Sequence, residues 1–260
     1  MKIVILGLGH MGSWFAENLK WKHRVAVFDR IPQRAEHLQE VIHLQRLEDI
    51  RRFQPELLLN AVNIQNTIEA FEAARSLLSE DCLLADITSV KGSLPEYYAD
   101  CGFRFVSIHP MFGPTFANVE RLKEENVIII KDSDPEGVRF FREFFTGLGL
   151  TIYEYSFAEH DRLIAYSLTV PFVSTLVFAD HMSSAAVPGT TFKKHLHIAR
   201  GLLREDDYLL TEILFNPHSL PQLEKITQRL EFLKHIIRER DFEEARKFFN
   251  RLRENIGLKG

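Results

Sequence analysis

The residues with the clearest chemical purpose come first in the chain. Gly7-Leu8-Gly9-His10-Met11-Gly12 is a G-x-G-x-x-G run directly behind the apolar stretch Ile3-Val4-Ile5-Leu6. In that position each glycine has a task. Gly7 lets the chain turn off a strand, Gly9 lets backbone approach a pyrophosphate, and Gly12 lets the next helix lie close to the sheet. The helix opening at His10 and Met11 offers unpaired N–H groups and the positive end of its dipole to phosphate. Asp29 closes a second β-rich run, Arg24 to Phe28, about 20 residues beyond the first glycine, as a dinucleotide fingerprint requires. Its carboxylate would accept hydrogen bonds from an adenosine ribose and oppose a 2′-phosphate, so NAD is the expected cofactor. Arg30 and Arg34 follow at once and keep NADP open, because arginines at this place can cradle that phosphate. Val62, ending the buried run Glu56 to Val62, is a further candidate for cofactor contact.

His109 is the leading candidate for acid–base work. It closes the run Phe103 to Ile108, and a histidine at the carboxyl end of a parallel strand titrates near neutral pH where substrate meets cofactor. Ser89, from the preceding strand end, is placed to orient its ring. His160-Asp161 could be a functional pair, yet an acid in a first turn is also good helix-dipole chemistry, and that structural reading is favoured. No G-x-S-x-G elbow accompanies Ser89, and no H-E-x-x-H or paired-carboxylate spacing occurs, which argues against acyl transfer, a metal site and glycoside hydrolysis.

These residues need a sheet to hold them. Apolar runs at Ile3 to Leu6, Val25 to Phe28, Leu57 to Val62, Cys82 to Ile87, Phe103 to Ile108, Asn126 to Ile130 and Leu150 to Tyr155 alternate with helical spacing, and Val41 to Leu44 adds a small strand. Strands of this kind read as buried on both faces. The predicted fold is α/β: an N-terminal doubly wound, Rossmann-type parallel sheet followed by an all-helical C-terminal domain. Ser133 to Glu136 and Ser156 to Glu159 read as capping boxes. Strand–helix alternation stops at the second, which sets the domains at 1–156, dinucleotide binding, and 157–260, substrate binding and dimerisation.

Composition agrees with an ordinary globular chain. Of 260 residues 45% are hydrophobic, enough for a sizeable core, and a net charge of −4 gives no reason to expect nucleic acid or an anionic membrane as partner. The N-terminal apolar run is too short and too interrupted for a signal peptide, and no stretch approaches a membrane span. Cys82 and Cys101 cannot build a disulfide framework and read as buried thiols of a cytoplasmic protein.

Gly7 to Gly12, Asp86-Ile87-Thr88-Ser89-Val90-Lys91, His109-Pro110-Met111-Phe112-Gly113-Pro114 and Glu159-His160-Asp161, in this order and spacing, resemble the prephenate dehydrogenases of tyrosine biosynthesis. The resemblance spans essentially the whole chain. It implies oxidative decarboxylation of prephenate to 4-hydroxyphenylpyruvate with NAD as hydride acceptor. His109 would take the proton of the substrate hydroxyl, Ser89 would hold that histidine and the hydroxyl, and the helical domain would supply a carboxylate-binding arginine and a homodimer interface. Two departures stand out. Thr169 and Phe172 occupy positions where many members carry histidines, leaving Thr169 as the substrate-side candidate. The family's arginine falls on Gly201, so Arg200 matches after a one-residue insertion and Arg204 is the fallback. The same chemistry on arogenate is the nearest alternative. A non-catalytic dinucleotide sensor is a second, and a β-hydroxyacid dehydrogenase a third that lacks its expected lysine.

Overall fold

The computed structural model describes residues 1–112, 119–183 and 187–258. Gly113 and Pro114, the end of the His109 motif, lie outside them. Strands β1 (Lys2–Leu6), β2 (Arg24–Phe28), β3 (Ile42–His43), β4 (Leu57–Asn60), β5 (Leu83–Asp86), β6 (Phe105–Pro110), β7 (Asn126–Ile130) and β8 (Thr151–Tyr155) form one eight-stranded sheet in the order β3-β2-β1-β4-β5-β6-β7-β8. The chain winds outward from β1 to β3, then returns to β4 and winds the other way, so the order reverses between β1 and β4. Crevices at such a reversal are where doubly wound sheets bind ligands, outside the carboxyl ends of the strands.

One pairing departs from the expected parallel sheet: β6 and β7 run antiparallel, with His109 opposite Ile128. Antiparallel neighbours join at adjoining ends and need no crossover helix. The other pairs are parallel.

Helices α1 (His10–Leu19), α2 (Ile50–Phe53), α3 (Thr67–Arg75), α4 (Leu94–Asp100) and α5 (Pro135–Gly147) cover the two faces. Alternation along the strands divides the core between them. Ile3, Ile5, Leu57 and Leu59 pack with Phe15 of α1 and with Phe141 and Phe145 of α5. Val4, Leu6, Leu58 and Leu84 pack with Ile50, Phe71 and Tyr98 on the other side. Each such side chain contributes about 1.5–3 kcal/mol when fully buried, which explains why these strands read as unbroken apolar runs.

The second capping box forms as expected: Ser156 N–H donates to Glu159 Oε2 at 2.8 Å and Glu159 N–H to Ser156 Oγ at 3.2 Å. The first does not. Asp134 caps α5 by accepting from Glu136 N–H, because Ser133 Oγ is taken by the N–H of Ser107. Beyond Tyr155 the described residues are helical: α6 (Phe157–Ile164), a π-helical segment Ala165–Thr169, then α7 (Val170–Asp180), α8 (Thr190–Leu202), α9 (Asp207–Leu214), α10 (Ser219–Glu239) and α11 (Phe242–Asn255).

The chain divides into two compact units, Met1–Ile164 with Glu205–Asn216, and Ala165–Arg204 with Pro217–Gly260. The division falls at Ile164 rather than at Ser156 because α6 buries His160 and Ile164 within the first unit. The 205–216 segment joins that unit too, and Asn216 Nδ2 donates to the carbonyl of Asp161 at 3.0 Å. The expectation that no stretch approaches a membrane span is corrected. Phe157–Asp180 is a 24-residue helical run long and apolar enough, by length and composition alone, to cross one. Counting uninterrupted apolar residues missed it, since Ser167, Thr169 and Ser174 break the count without carrying charge.

Candidate active site

The glycine loop sits between β1 and α1 as a tightly constrained turn. Gly7 adopts φ +86°, and a Cβ there would lie 2.8 Å from the backbone of Ala61 and Val62. At Gly12 a Cβ would come 1.9 Å from the carbonyl oxygen of Gly7, so glycine is what lets α1 start this close to the strand. Gly9 differs: a Cβ there would meet nothing within 4 Å. The space in front of Gly9 is the room a pyrophosphate needs. No side chain caps α1 and no acid occupies its first turn, so that helix end keeps its affinity for anions.

A cleft opens beside this loop, lined by Gly7, Gly9, Asp29, Arg30, Arg34, Val62 and Asn66 among others. Asp29 is nearly buried and already engaged, accepting from the N–H of Leu8 at 2.7 Å and of Ile31 at 2.8 Å. It therefore ties the glycine loop to the end of β2. Each carboxylate oxygen has a second lone pair, which leaves capacity for ribose hydroxyls. Arg34 lies 3.5 Å from Asp29 Oδ2, and Arg30 pairs with Glu69 on α3. His10 is exposed and Met11 packs against the core, so the helix start reaches the cleft through backbone and not through these two side chains. The pocket suits an adenine dinucleotide.

At the carboxyl end of β5, Asp86 is fully buried and receives Lys91 Nζ at 2.8 Å, Thr88 Oγ1 at 2.7 Å and Tyr98 OH at 2.8 Å. Burial would raise this carboxyl, but the Lys91 ammonium and the hydrogen bonds from Lys91 and Thr88 hold it below its ordinary value. Lys91 also donates to the carbonyl of Ile108 at 2.8 Å, so a buried ion pair clamps the loop after β5 to the end of β6. The residue after that carbonyl is His109.

His109 is 5% exposed, and its Nδ1 lies 2.9 Å from Nε2 of His160, a wholly buried residue of α6. His160 Nδ1 in turn lies 2.9 Å from Asp161 Oδ1. Burial, then the neighbouring His160 and Lys91, push His109 well below the usual imidazole value. Burial likewise lowers His160, against the opposing pull of Asp161. Both shifts favour the neutral ring, the form in which a histidine can take a proton.

The ring partner is thus His160 and not Ser89. Ser89 is half-buried in the bend after β5 and makes no side-chain hydrogen bond among the described residues. Reading His160-Asp161 as dipole chemistry missed this contact. The available signal was the four-residue spacing from His160 to Ile164, which puts the histidine on the buried stripe of its helix. Thr169, in the other unit, is buried with its hydroxyl 2.7 Å from Ser219 Oγ. Arg200 at the end of α8 and Arg204 beyond it are exposed and carry no ion pair among the described residues.

Residues 15–154, more than half of the chain, match the model for the prephenate dehydrogenase nucleotide-binding domain. The chain belongs to the prephenate dehydrogenase family. The T-protein of Haemophilus influenzae is 25% identical over 229 residues, which are 83% of this chain and 56% of that one. A probable arogenate/prephenate dehydrogenase of Methanocaldococcus jannaschii is 24% identical over 260 residues, 92% of this chain and 57% of that one. This family member spans about half the length of the curated relatives it matches. Its fold is that of a prephenate dehydrogenase from A. aeolicus solved with hydroxyphenyl propionate and NAD+, with a TM-score of 0.83 at 21% identity, covering 100% of this chain and 98% of that one.

Proposed function

We propose that this chain oxidises and decarboxylates prephenate to 4-hydroxyphenylpyruvate, with NAD in the cleft beside Gly9. The observation that carries this reading is the place of His109, buried at the carboxyl end of β6 on the same sheet edge as the glycine loop and Asp29. NAD, when bound, supplies the hydride acceptor. Gly9 and the uncapped start of α1 would hold its pyrophosphate, and Asp29 would take the ribose hydroxyls. His109 removes the hydroxyl proton as the carbon–oxygen bond becomes a carbonyl. Loss of the ring carboxylate as carbon dioxide then returns an electron pair to the ring, and the same histidine can hand its proton to the phenolate oxygen. Ser89 is assigned to the substrate hydroxyl and Arg200, with Arg204 as fallback, to a substrate carboxylate. The Thr169 hydroxyl has Ser219 as its partner, so its role is the weaker one.

Arogenate carries an amino group where prephenate has a keto group and is the alternative substrate. Mixing the protein with NAD or NADP and either compound, and following absorbance of the reduced nicotinamide, tests the proposal. Substrate-dependent reduction of NAD with prephenate is expected. No reduction in any of the four mixtures would leave a non-catalytic dinucleotide sensor as the reading.

We also infer a homodimer working in the cytoplasm. Val177, Leu220, Ile237, Phe242 and Ile256 of the helical unit are exposed, more apolar surface than a small helical unit buries alone. Burial pushes the Cys82 thiol up to about 12, an inert state suited to a reducing compartment. Sedimentation at micromolar concentration should give the dimer mass; an active monomer would refute it.

A further inference from the structure

We infer that His160 and Asp161 form a proton-positioning relay that holds His109 in the tautomer with its lone pair on Nε2. This rests on the reading of His109 as the base. The assignment follows from counting hydrogens along two contacts. An ionised carboxylate can only accept, so the 2.9 Å contact between Asp161 Oδ1 and His160 Nδ1 places the hydrogen on that nitrogen. A neutral imidazole carries one N–H, so His160 Nε2 is left as an acceptor. Its partner at 2.9 Å is His109 Nδ1, which must therefore be the donor. His109 then has no hydrogen on Nε2, the nitrogen that can take the substrate's proton.

The surroundings keep this arrangement from being scrambled. The side chain of His160 is fully buried and His109 nearly so, which excludes water as an alternative partner along the contact, while Asp161 is 22% exposed at the outer end. Among the described residues, the other charged groups that face the pair are Lys91, whose ammonium opposes a second positive charge, and Asp86, which offsets it. When His109 Nε2 gains the hydroxyl proton, the new charge is passed toward Asp161 through two polarised hydrogen bonds. His160 and Asp161 are thus positioning residues, and neither needs to touch substrate.

The test is ¹⁵N NMR of the full chain labelled at histidine, combined with steady-state kinetics using NAD and prephenate. In the wild-type protein His109 Nε2 and His160 Nε2 should give pyridine-type signals and both Nδ1 atoms pyrrole-type signals. A pyrrole-type His109 Nε2 overturns the relay, and this measurement requires no variant to fold. In His160→Leu the His109 Nδ1–H loses its acceptor, so the Nε2 signal should turn pyrrole-type while kcat falls at least about 10²-fold with KM near wild type. A lower kcat with an unchanged His109 tautomer overturns the relay and leaves His160 a packing residue. An inverted tautomer with wild-type kcat upholds the relay and overturns His109 as the base.

Discussion

Alanine at Gly9 and alanine at Gly12 should fail in opposite ways, although the two glycines belong to one motif. At Gly12 the new Cβ meets the Gly7 carbonyl oxygen at 1.9 Å and Ala61 Cβ at 3.2 Å. Backbone cannot swing aside as a flexible side chain would, so the cost lies at or above the upper end of overpacking, about 3 kcal/mol. At roughly 2–4 °C per kcal/mol for a domain of this size, Tm should fall by about 6–12 °C. Gly9 has φ −68° and ψ −170°, an extended conformation that alanine adopts freely, and no atom within 4 Å of the added methyl. Stability should then stay within about 1 kcal/mol, a small N-cap loss set against a less flexible unfolded chain. What the methyl occupies is the approach of the pyrophosphate. Losing one hydrogen bond to a charged oxygen costs about 1.5–3 kcal/mol, or about 10- to 150-fold in Kd. Scanning calorimetry reads the first quantity and isothermal titration with NAD the second. Gly9→Ala binding NAD with wild-type affinity would refute the placement of the pyrophosphate. A Gly9→Ala Tm loss equal to that of Gly12→Ala would refute the packing argument.

Asp29→Ser should narrow the preference for NAD over NADP, read as the ratio of kcat/KM values, but it also removes the tie to Leu8 N–H and should lower Tm. If the unmodified protein uses NADP more efficiently, Arg30 and Arg34 govern the site. His109→Asn should lower kcat by about 10²- to 10⁴-fold with a modest change in KM, whereas Arg200→Ala should mainly raise KM; the reverse pattern would exchange their roles. Stability should also depend on pH through the two buried histidines. Both have folded values below the unfolded one, so the unfolded chain binds more protons; their contribution is complete above about pH 6.5 and is lost as pH falls toward the folded values. Urea midpoints between about pH 8 and pH 5 should show this fall, and His109→Asn should flatten it; an equal slope in that variant would place the acid sensitivity elsewhere.

What could be read directly from residues was whatever depends on local pattern. The apolar runs of β1, β4 and β5 are buried on both faces, so their strand character and interior place in the sheet are written into consecutive residues. The glycine loop is legible for the same reason, since its constraint arises between neighbours in one turn, with Ala61 and Val62 just past the end of β4 as the distant contacts. The reversal of β7 was not legible, because Asn126–Ile130 has the same two-faced apolar pattern whichever way it runs. His160 was hidden for a related reason. It stands 51 residues from His109, and although the spacing to Ile164 marks it as buried, nothing in its own sequence neighbourhood names the partner it meets. Only the fold brings α6 across the carboxyl end of β6, and then the Asp161 carboxylate, which suits a helix start in any case, acquires a second task. The same logic holds for Lys91. In sequence it is one residue of a motif, but buried against Asp86 and the Ile108 carbonyl it joins the two loops from which the proposed base and its neighbours arise. The candidate site is legible where one segment suffices and invisible where two must meet, and the contact from His109 through His160 to Asp161 is of the second kind.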